Sequence, residues 1–466
     1  MAQKAQRASQ PQSLPAPLKH INPCGVGIDV GATSHFVAVP GDRDKEPVRE
    51  FPAFTPDLYR LAGWLKACRV DTVALESTGV YWTPLYEVLE RRGFAVHLVS
   101  PKHLKRVPGR KTDVADCQWL QELHSFGLLS GAFRPEDQEC VLRSYMRQRA
   151  MLVTYAAKHI QHMQKALTQM NVLLQHAVSD LVGATGMAII RAILAGERDP
   201  HKLATLRDPG CKNDAATIAR ALQGNWREEH LFALGQAVEL YHSYRQKIDA
   251  CAGQILAQLH PPAADEDRSD TGSGTPPQPP PHKPRKNEMA FDAAKETYRI
   301  TGADLTKIKA IQGHTSLTIV GEMGRDVSHW PSAKHFTSWL GLAPKNRVSG
   351  GKRLRHQRTP PNASRIAQAL KVAARTLHHS HAYLGAYYRR MAAHVGKAKA
   401  IQATARKLAI QVYYALKYGT DYIERGEDYY ERTYQDRVLK SLNRRAKELG
   451  YRLVKEEKPV LKPQPA

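Results

Sequence analysis

At 466 residues, 42% of them hydrophobic, the chain is long enough for about two or three domains that each bury a core. Its formal net charge of +24, from 68 Lys and Arg against 44 Asp and Glu, favours a polyanionic partner, most simply nucleic acid, although a membrane surface would attract the same sign. It has no run of about 18 apolar residues, so no membrane-spanning helix is expected. The six cysteines are scattered without a CxxC pair, which speaks against a disulfide frame or zinc finger and for reduced thiols in a cytoplasmic protein. The first twenty residues are basic and rich in Gln and Pro without an apolar core; they read as a disordered tail, not a secretory signal.

Gly25–Val30 (GVGIDV) reads as a buried strand, followed after a tight turn by Ser34–Val39, with Val48–Phe54 as a third strand. Asp57–Cys68 has helical spacing, Thr72–Leu75 is a strand with Glu76 at its carboxyl end, Pro84–Arg92 is a helix and Phe94–Val99 another strand. A further helix follows Thr112, a good N-cap, with Asp113 and Asp116 in its first turn and Trp119, Leu120 and Leu123 as its apolar side. Three antiparallel strands followed by crossover-connected parallel ones describe an α/β RNase H-like layout.

In that layout the strand carrying Asp29 neighbours the strand carrying Glu76, and Asp29 must lie opposite Val26, Ile28 and Val30 or bury an unpaired charge. Asp113 and Asp116 share a helix face. Taken singly, Asp29 is a turn residue, Glu76 a surface charge and the helix merely capped. Taken together, Asp29, Glu76, Asp113 and Asp116 converge, and four carboxylates at one place need a divalent cation, Mg²⁺ or Mn²⁺, to offset their repulsion. GIDVGATS also resembles the first phosphate loop of the actin and sugar-kinase ATPases, but the second Gly-rich loop and the Gly-Gly adenosine segment of those proteins do not follow.

Further on, Leu142, Met146, Val153, Ala156, Ile160, Met163, Leu167, Met170 and Leu174 form a heptad seam with Arg149 in one slot. Leu234, Val238, Tyr241, Ile248, Ala252, Ile255 and Leu259 form a second, with Arg245 in a slot. These helices suit either a bundle core or a dimerising coiled coil. Residues 183–225 carry Arg191, Arg198, Lys202, Arg207, Lys212 and Arg220, a nucleic-acid surface or a solvated helical linker. Pro261–Lys286, rich in Pro, Gly and Ser, is a flexible linker. Ile308–Arg325 looks like two short helices around Gly313, the outline of a phosphate-holding helical hairpin, and Trp330–Leu342 is a helix whose aromatic face packs in a core. Ser349 precedes two glycines amid Lys345, Arg347, Lys352, Arg353, Arg355 and Arg358. By composition it is a turn serine in a phosphate-attracting loop. Basic helices over 361–390 and 397–418 and a Lys/Arg-rich tail from Arg437 follow.

GVGIDVGATSHFVAV, ALESTGVYWTPLYEVLERRGF and VPGRKTDVADCQWLQELHSFGLL resemble the DEDD-type transposases of bacterial insertion sequences, the 110/1111 group, and the resemblance runs from about Gly25 through the C-terminal domain. It implies a RuvC-like N-terminal domain that binds metal ions through Asp29, Glu76, Asp113 and Asp116, a helical coiled-coil middle used in oligomerisation to a dimer or tetramer, and a mostly α-helical C-terminal transposase domain whose catalytic serine matches Ser349. The segment 312–315 (QGHT) departs from the family's Pro-Gly-Ile-Gly, which puts the hairpin's phosphate contact in question. The expected organisation is a tail over 1–20, the catalytic domain over 21–135, helices over 136–260, a linker over 261–288, the transposase domain over 289–425 and a basic helical tail over 426–466. The resemblance also implies partners: DNA of the element ends and target, and a guide RNA transcribed from the element. Arg110 and Lys111, just before the third helix, join the basic residues around Ser349 as expected nucleic-acid contacts. The expected location is the bacterial cytoplasm, at the nucleoid. A water-using Holliday-junction nuclease and a non-catalytic nucleic-acid-binding protein remain alternatives.

Overall fold

The computed structural model describes residues 20–77, 79–99, 112–129, 131–260, 277, 286–344, 348–350, 352–353, 364–419 and 421–454, with backbone alone at 348–349, 352–353 and most of 421–434. Of the expected linker over 261–288, residues 261–276 and 278–285 lie outside them, as do residues 1–19 of the expected tail over 1–20. The chain divides into two compact units, residues 1–134 and 135–466.

The first unit is built on β1 (Gly25–Val30), β2 (Ser34–Ala38), β3 (Val48–Pro52), α1 (Thr55–Ala67), β4 (Thr72–Glu76), α2 (Trp82–Arg91), β5 (Ala95–Val99) and α3 (Asp113–Ser125). The strand order is β3-β2-β1-β4-β5. β1 pairs antiparallel with β2, Ile28 opposite Val37, and parallel with β4, Ile28 opposite Leu75. This mixed sheet has the order expected of an RNase H-like layout. Strand alternation divides its faces. Val26, Ile28, Val30, Val73 and Leu75 pack on one side with Leu58, Leu61 and Leu65 of α1 and Leu85 and Leu89 of α2. The other side of β1 and β4 carries Ala74, which packs with Leu120 of α3.

The second unit is helical. α4 (Asp137–Gln169), the short helices α5 (Leu174–Ala177), α6 (Ala184–Leu194), α7 (Pro200–Ala204) and α8 (Ala215–Ala221), and α9 (Glu228–Leu259) come first. α4 and α9 lie antiparallel. Leu142 near the start of α4 packs with Ile255 and Leu259 near the end of α9, and Tyr155 meets Tyr244 at the middle, with ring centroids 5.8 Å apart. Both heptad seams are thus consumed within one chain: their middle packs with α6–α8 in one core, and their ends, Leu142, Ala252, Ile255 and Leu259, pack with Met289, Ala293 and Leu317 in another. Among their outward residues, Phe232 and Leu240 remain exposed. Two of the basic residues of 183–225 are drawn into local contacts: Arg198 donates to the Ile193 carbonyl and stacks on Trp226, and Arg207 donates to the Asn213 carbonyl, while Lys202, Lys212 and Arg220 are exposed.

The two arginines in the apolar seams are not defects. Arg149, 4% exposed, donates to the carbonyls of Asn287 (3.1 Å) and Glu288 (2.9 Å), and Arg245 donates to that of Lys286 (2.7 Å). Residues 286–288, expected to belong to the flexible linker, are instead fastened to the helix pair. Removing Arg149 takes the donor from the Asn287 and Glu288 carbonyls, and charged hydrogen bonds contribute about 1.5–3 kcal/mol each. Arg149→Ala is expected to lower the stability of this unit by about 2–4 kcal/mol, read as an earlier denaturant midpoint at an unchanged slope.

The remainder comprises α10 (Ala293–Thr301), α11 (Gly313–Met323), α12 (Ala333–Trp339), β6 (Val348–Ser349), β7 (Lys352–Arg353), α13 (Arg365–Thr376), α14 (Tyr383–Val395), α15 (Lys397–Tyr418) and α16 (Asp421–Glu448). Trp330 and Phe336 are buried as expected, and Tyr413 of α15 donates to the Trp330 carbonyl at 2.8 Å. The expected two-helix hairpin around Gly313 is corrected. Residues 308–312, its expected first half, are irregular backbone that follows a 3-10 turn at Leu305–Lys307, with Ala310 at φ +71, and a left-handed residue cannot continue a right-handed helix. Gly313 starts α11 where an added Cβ would stand 2.8 Å from the Ala294 amide, so this glycine serves helix packing. None of the helices among the described residues is long and apolar enough to cross a membrane.

Candidate active site

The N-terminal site follows from how α3 lies on the sheet. Gly25, Gly27 and Asp29 alternate along one face of β1. A Cβ on Gly27 would stand 2.3 Å from the Gln121 amide and 2.4 Å from the Cys117 carbonyl, and one on Gly25 would stand 2.8 Å from the His124 ring. Only glycine lets the helix backbone come this near the strand. Gln121 completes the contact by donating to the Gly25 carbonyl at 3.2 Å.

These contacts fix direction as well as distance. Moving from Gly25 to Gly27 advances the strand about 6–7 Å, while the facing helix residues move back from His124 toward Cys117, about four residues per 6 Å. The next strand step, to Asp29, therefore reaches the first turn of α3, where Asp113 and Asp116 stand. β4 repeats the progression. Thr72 meets the His124 ring at 3.0 Å, Ala74 packs on Leu120, and Glu76 comes next. The parallel register of β1 and β4, Gly27 opposite Ala74 and Ile28 opposite Leu75, carries on to Asp29 beside Glu76. Asp29, Glu76 and Asp116 are half-buried and Asp113 is exposed.

Thr112 caps α3 as expected, its hydroxyl accepting from the Ala115 amide at 3.2 Å. The packed face of the helix differs from expectation. It is Cys117, Leu120 and His124, whereas Trp119 and Leu123 are only half-buried. This corrected face is the one that includes Asp113 and Asp116, at helical spacing from Leu120. The Cys117 thiol reports the local field. Burial pushes it up to about 12, with the carboxylates of Asp29 and Asp116 adding to the rise. Burial likewise lowers His124 to about 4, the His97 ring beside it adding to the effect, so this imidazole is a neutral packing and hydrogen-bonding group. Sequence reasoning did not single out Cys117, Gln121 or His124 as positioning residues; the glycines two and four residues before Asp29 are the signal that a helix lies flush there.

The family comparison decides what this arrangement belongs to. Residues 26–172 match a family described as the IS110 DEDD transposase, and residues 302–389 match the Transposase IS116/IS110/IS902 family; together they span about half of the chain. The chain belongs to the IS110-type transposases. No curated protein matches it. The first match contains all four carboxylates and the second contains Ser349.

The transposase's second candidate segment is a two-stranded hairpin instead of an irregular loop. β6 and β7 are antiparallel, Ser349 paired with Lys352, and Gly350 turns the chain at φ +56, a conformation that glycine adopts without strain. Of the expected nucleic-acid contacts, Lys352 and Arg353 lie on β7, while Arg110, Lys111, Lys345, Arg347, Arg355 and Arg358 lie outside the described residues. Family membership implies a divalent cation. The four carboxylates are hard oxygen donors that suit Mg²⁺ or Mn²⁺, and the field that Asp29 and Asp116 impose on Cys117 is one a cation would offset. They share one end of the sheet without forming a closed cage: among the described residues no three His, Cys, Asp or Glu are grouped tightly enough to hold a metal.

The glycine contacts make a sharp test of this geometry. In Gly27→Ala the added methyl meets helix backbone, which cannot rotate away, and overpacking of this kind costs about 1–3 kcal/mol. Relief requires α3 to lift, which carries Asp113 and Asp116 away from Asp29. The expected result is a lowered melting temperature together with a loss of DNA strand transfer larger than the unfolded fraction explains.

Proposed function

We propose that this transposase cuts and rejoins the DNA of its own insertion sequence, with Asp29, Glu76, Asp113 and Asp116 holding Mg²⁺ or Mn²⁺ and Ser349 acting as the nucleophile. The observation that carries the first half is the seating of α3 on Gly25 and Gly27, which brings two strand carboxylates and two helix carboxylates to one end of the sheet. The second half rests on the family match across the Ser-Gly-Gly segment.

When bound, a divalent cation neutralises charge on a scissile phosphate and stabilises its reacting oxygens. The chain's own contribution is positioning. Asp29, Glu76, Asp113 and Asp116 would hold that ion, and the cations beside Ser349 would draw the phosphate backbone toward the hydroxyl. Ser349 Oγ attacks phosphorus, forming a phosphoserine as the bond to the 3′ oxygen breaks; the serine gives up a proton and the departing oxygen gains one. A free 3′-hydroxyl then attacks the phosphoserine, restoring the serine and joining the strands. The number of phosphodiesters is conserved, so no energy-rich cofactor is needed.

The proposal extends to a guide RNA transcribed from the element, which the charge of +24 accommodates, and to a dimer or tetramer. With both seams buried inside the chain, oligomer contacts through α4 and α9 would use outward residues such as Phe232 and Leu240. The test is a strand-transfer reaction with element-end and target DNA. Joined product is expected only when both Mg²⁺ and RNA from the element ends are present; chelation should abolish it. Equal product without the RNA would remove the guided part of the reading, and equal product in chelator would remove the metal.

A further inference from the structure

A cavity of about 800 Å³ opens in the second unit between α4, α11 and α13, within the size range of small-ligand sites. Its chemistry is divided. Met146, Val153, Met289, Ala369 and Ala373 supply apolar lining, and Gln312, Thr315 and Gln368 add amide and hydroxyl groups to it. A flat aromatic ligand with polar edges matches that combination better than an aliphatic one, which would leave the amide and hydroxyl groups unpaired.

The charge balance at one side is the second observation. Glu322 is shared by three guanidiniums: Arg147 at 2.6 Å, Arg143 at 3.6 Å and Arg365 at 3.7 Å. Glu322, Arg147 and Arg365 line the cavity, as do Lys286 and a second carboxylate, Glu288, so the cations lining it outnumber the carboxylates. Arg149 lines it too. It is 4% exposed, and its Nε meets no acceptor among the described residues. Buried donors of this kind are ordinarily satisfied, and an anionic oxygen satisfies one strongly.

We infer that this cavity binds a single unstacked nucleotide, its base against the apolar lining and its phosphate against the arginines around Glu322. Extruded bases are held in this way, between apolar side chains with hydrogen bonds to their edges. The inference rests on the nucleic-acid-processing function proposed above and adds a site that neither the carboxylates nor Ser349 provide. The nucleotide comes either from RNA or from an unpaired DNA strand, and the two differ at the 2′-hydroxyl.

The test uses the full chain and azidoadenosine monophosphate, as ribonucleotide and as deoxyribonucleotide, with photocrosslinking and peptide mapping. Label is expected in 146–153, 310–318 or 365–376, competed by unmodified AMP, and the form that labels at lower concentration identifies the source. Ala369→Trp and Thr318→Trp fill the cavity from α13 and α11, and each is expected to weaken labelling at least tenfold without changing the melting temperature. Label confined to other peptides, or no competable label, overturns the proposal in the wild-type protein alone, whatever the variants do. Because mononucleotide binding needs neither Mg²⁺ nor Ser349, a protein that joins DNA but takes no nucleotide here defeats this site only. A protein that takes the nucleotide here but never joins DNA defeats the recombination chemistry only.

Discussion

Asp116→Asn is expected to reduce strand transfer by about 1,000-fold or more while leaving the fold in place. Asp116 is half-buried in the first turn of α3, on the face whose next residues seat against β1 and β4. The substitution keeps the shape and one oxygen donor but removes a full charge from the set that would hold the cation. Charge stabilisation by a catalytic metal supplies several kcal/mol, and each 1.4 kcal/mol is tenfold in rate. Stability should barely move. The helix loses a favourable charge near its N-terminus, about 0.3–1 kcal/mol, but also loses repulsion from Asp29, whose carboxylate acts on the same Cys117 thiol. The measurement is joined product against time, with melting temperature as the folding control. Retained strand transfer would end the four-carboxylate reading. Asp29→Asn and Glu76→Gln should behave alike, since both stand at the same end of adjacent strands.

The sheet was legible because its information is local. Val26, Ile28 and Val30 alternate with Gly25, Gly27 and Asp29, and that period both marks the strand and assigns Asp29 to the face opposite the aliphatic core. The packed face of α3 was not legible in the same way. Trp119 and Leu123 look like residues to bury beside Leu120, yet Leu120 is joined in the core by Cys117 and His124 because glycines nearly a hundred residues earlier leave room there. Likewise Arg149 and Arg245 read as interruptions of an apolar repeat, since their acceptors at 286–288 lie 138 residues beyond Arg149 in the nearer pair and 41 beyond Arg245. The hairpin at Ser349 falls below what periodicity can detect: strands of two residues have no alternation to read. For the helix face and the two arginines the missing information is a long-range contact that a one-dimensional pattern does not carry; for the hairpin it is the shortness of the strands.

Ser349→Ala is expected to abolish the covalent protein–DNA adduct and to cut strand transfer by about 10,000-fold or more. Removing a nucleophile leaves only binding and charge stabilisation, and losses of that order accompany such removals in hydrolytic enzymes. The hairpin should survive, because its turn depends on Gly350 at φ +56 and on the backbone pairing of residue 349 with Lys352, neither of which uses the hydroxyl. The adduct is read by trapping labelled DNA on the denatured protein, and the joined product is read in parallel. Two controls separate the mechanisms. If serine attacks, Asp116→Asn loses adduct and product together, since the cation assists formation of the phosphoserine itself. If water attacks, the parent protein yields no adduct and Ser349→Ala cleaves DNA undiminished, which would reduce Ser349 to a turn residue and the transposase to a metal nuclease with an external joining step. Ser349→Cys supplies the positive arm: a thiol at the same place is a competent nucleophile toward phosphorus but a worse fit, so slow formation of a thiol-linked adduct would tie the chemistry to this side chain and not to the hairpin that presents it.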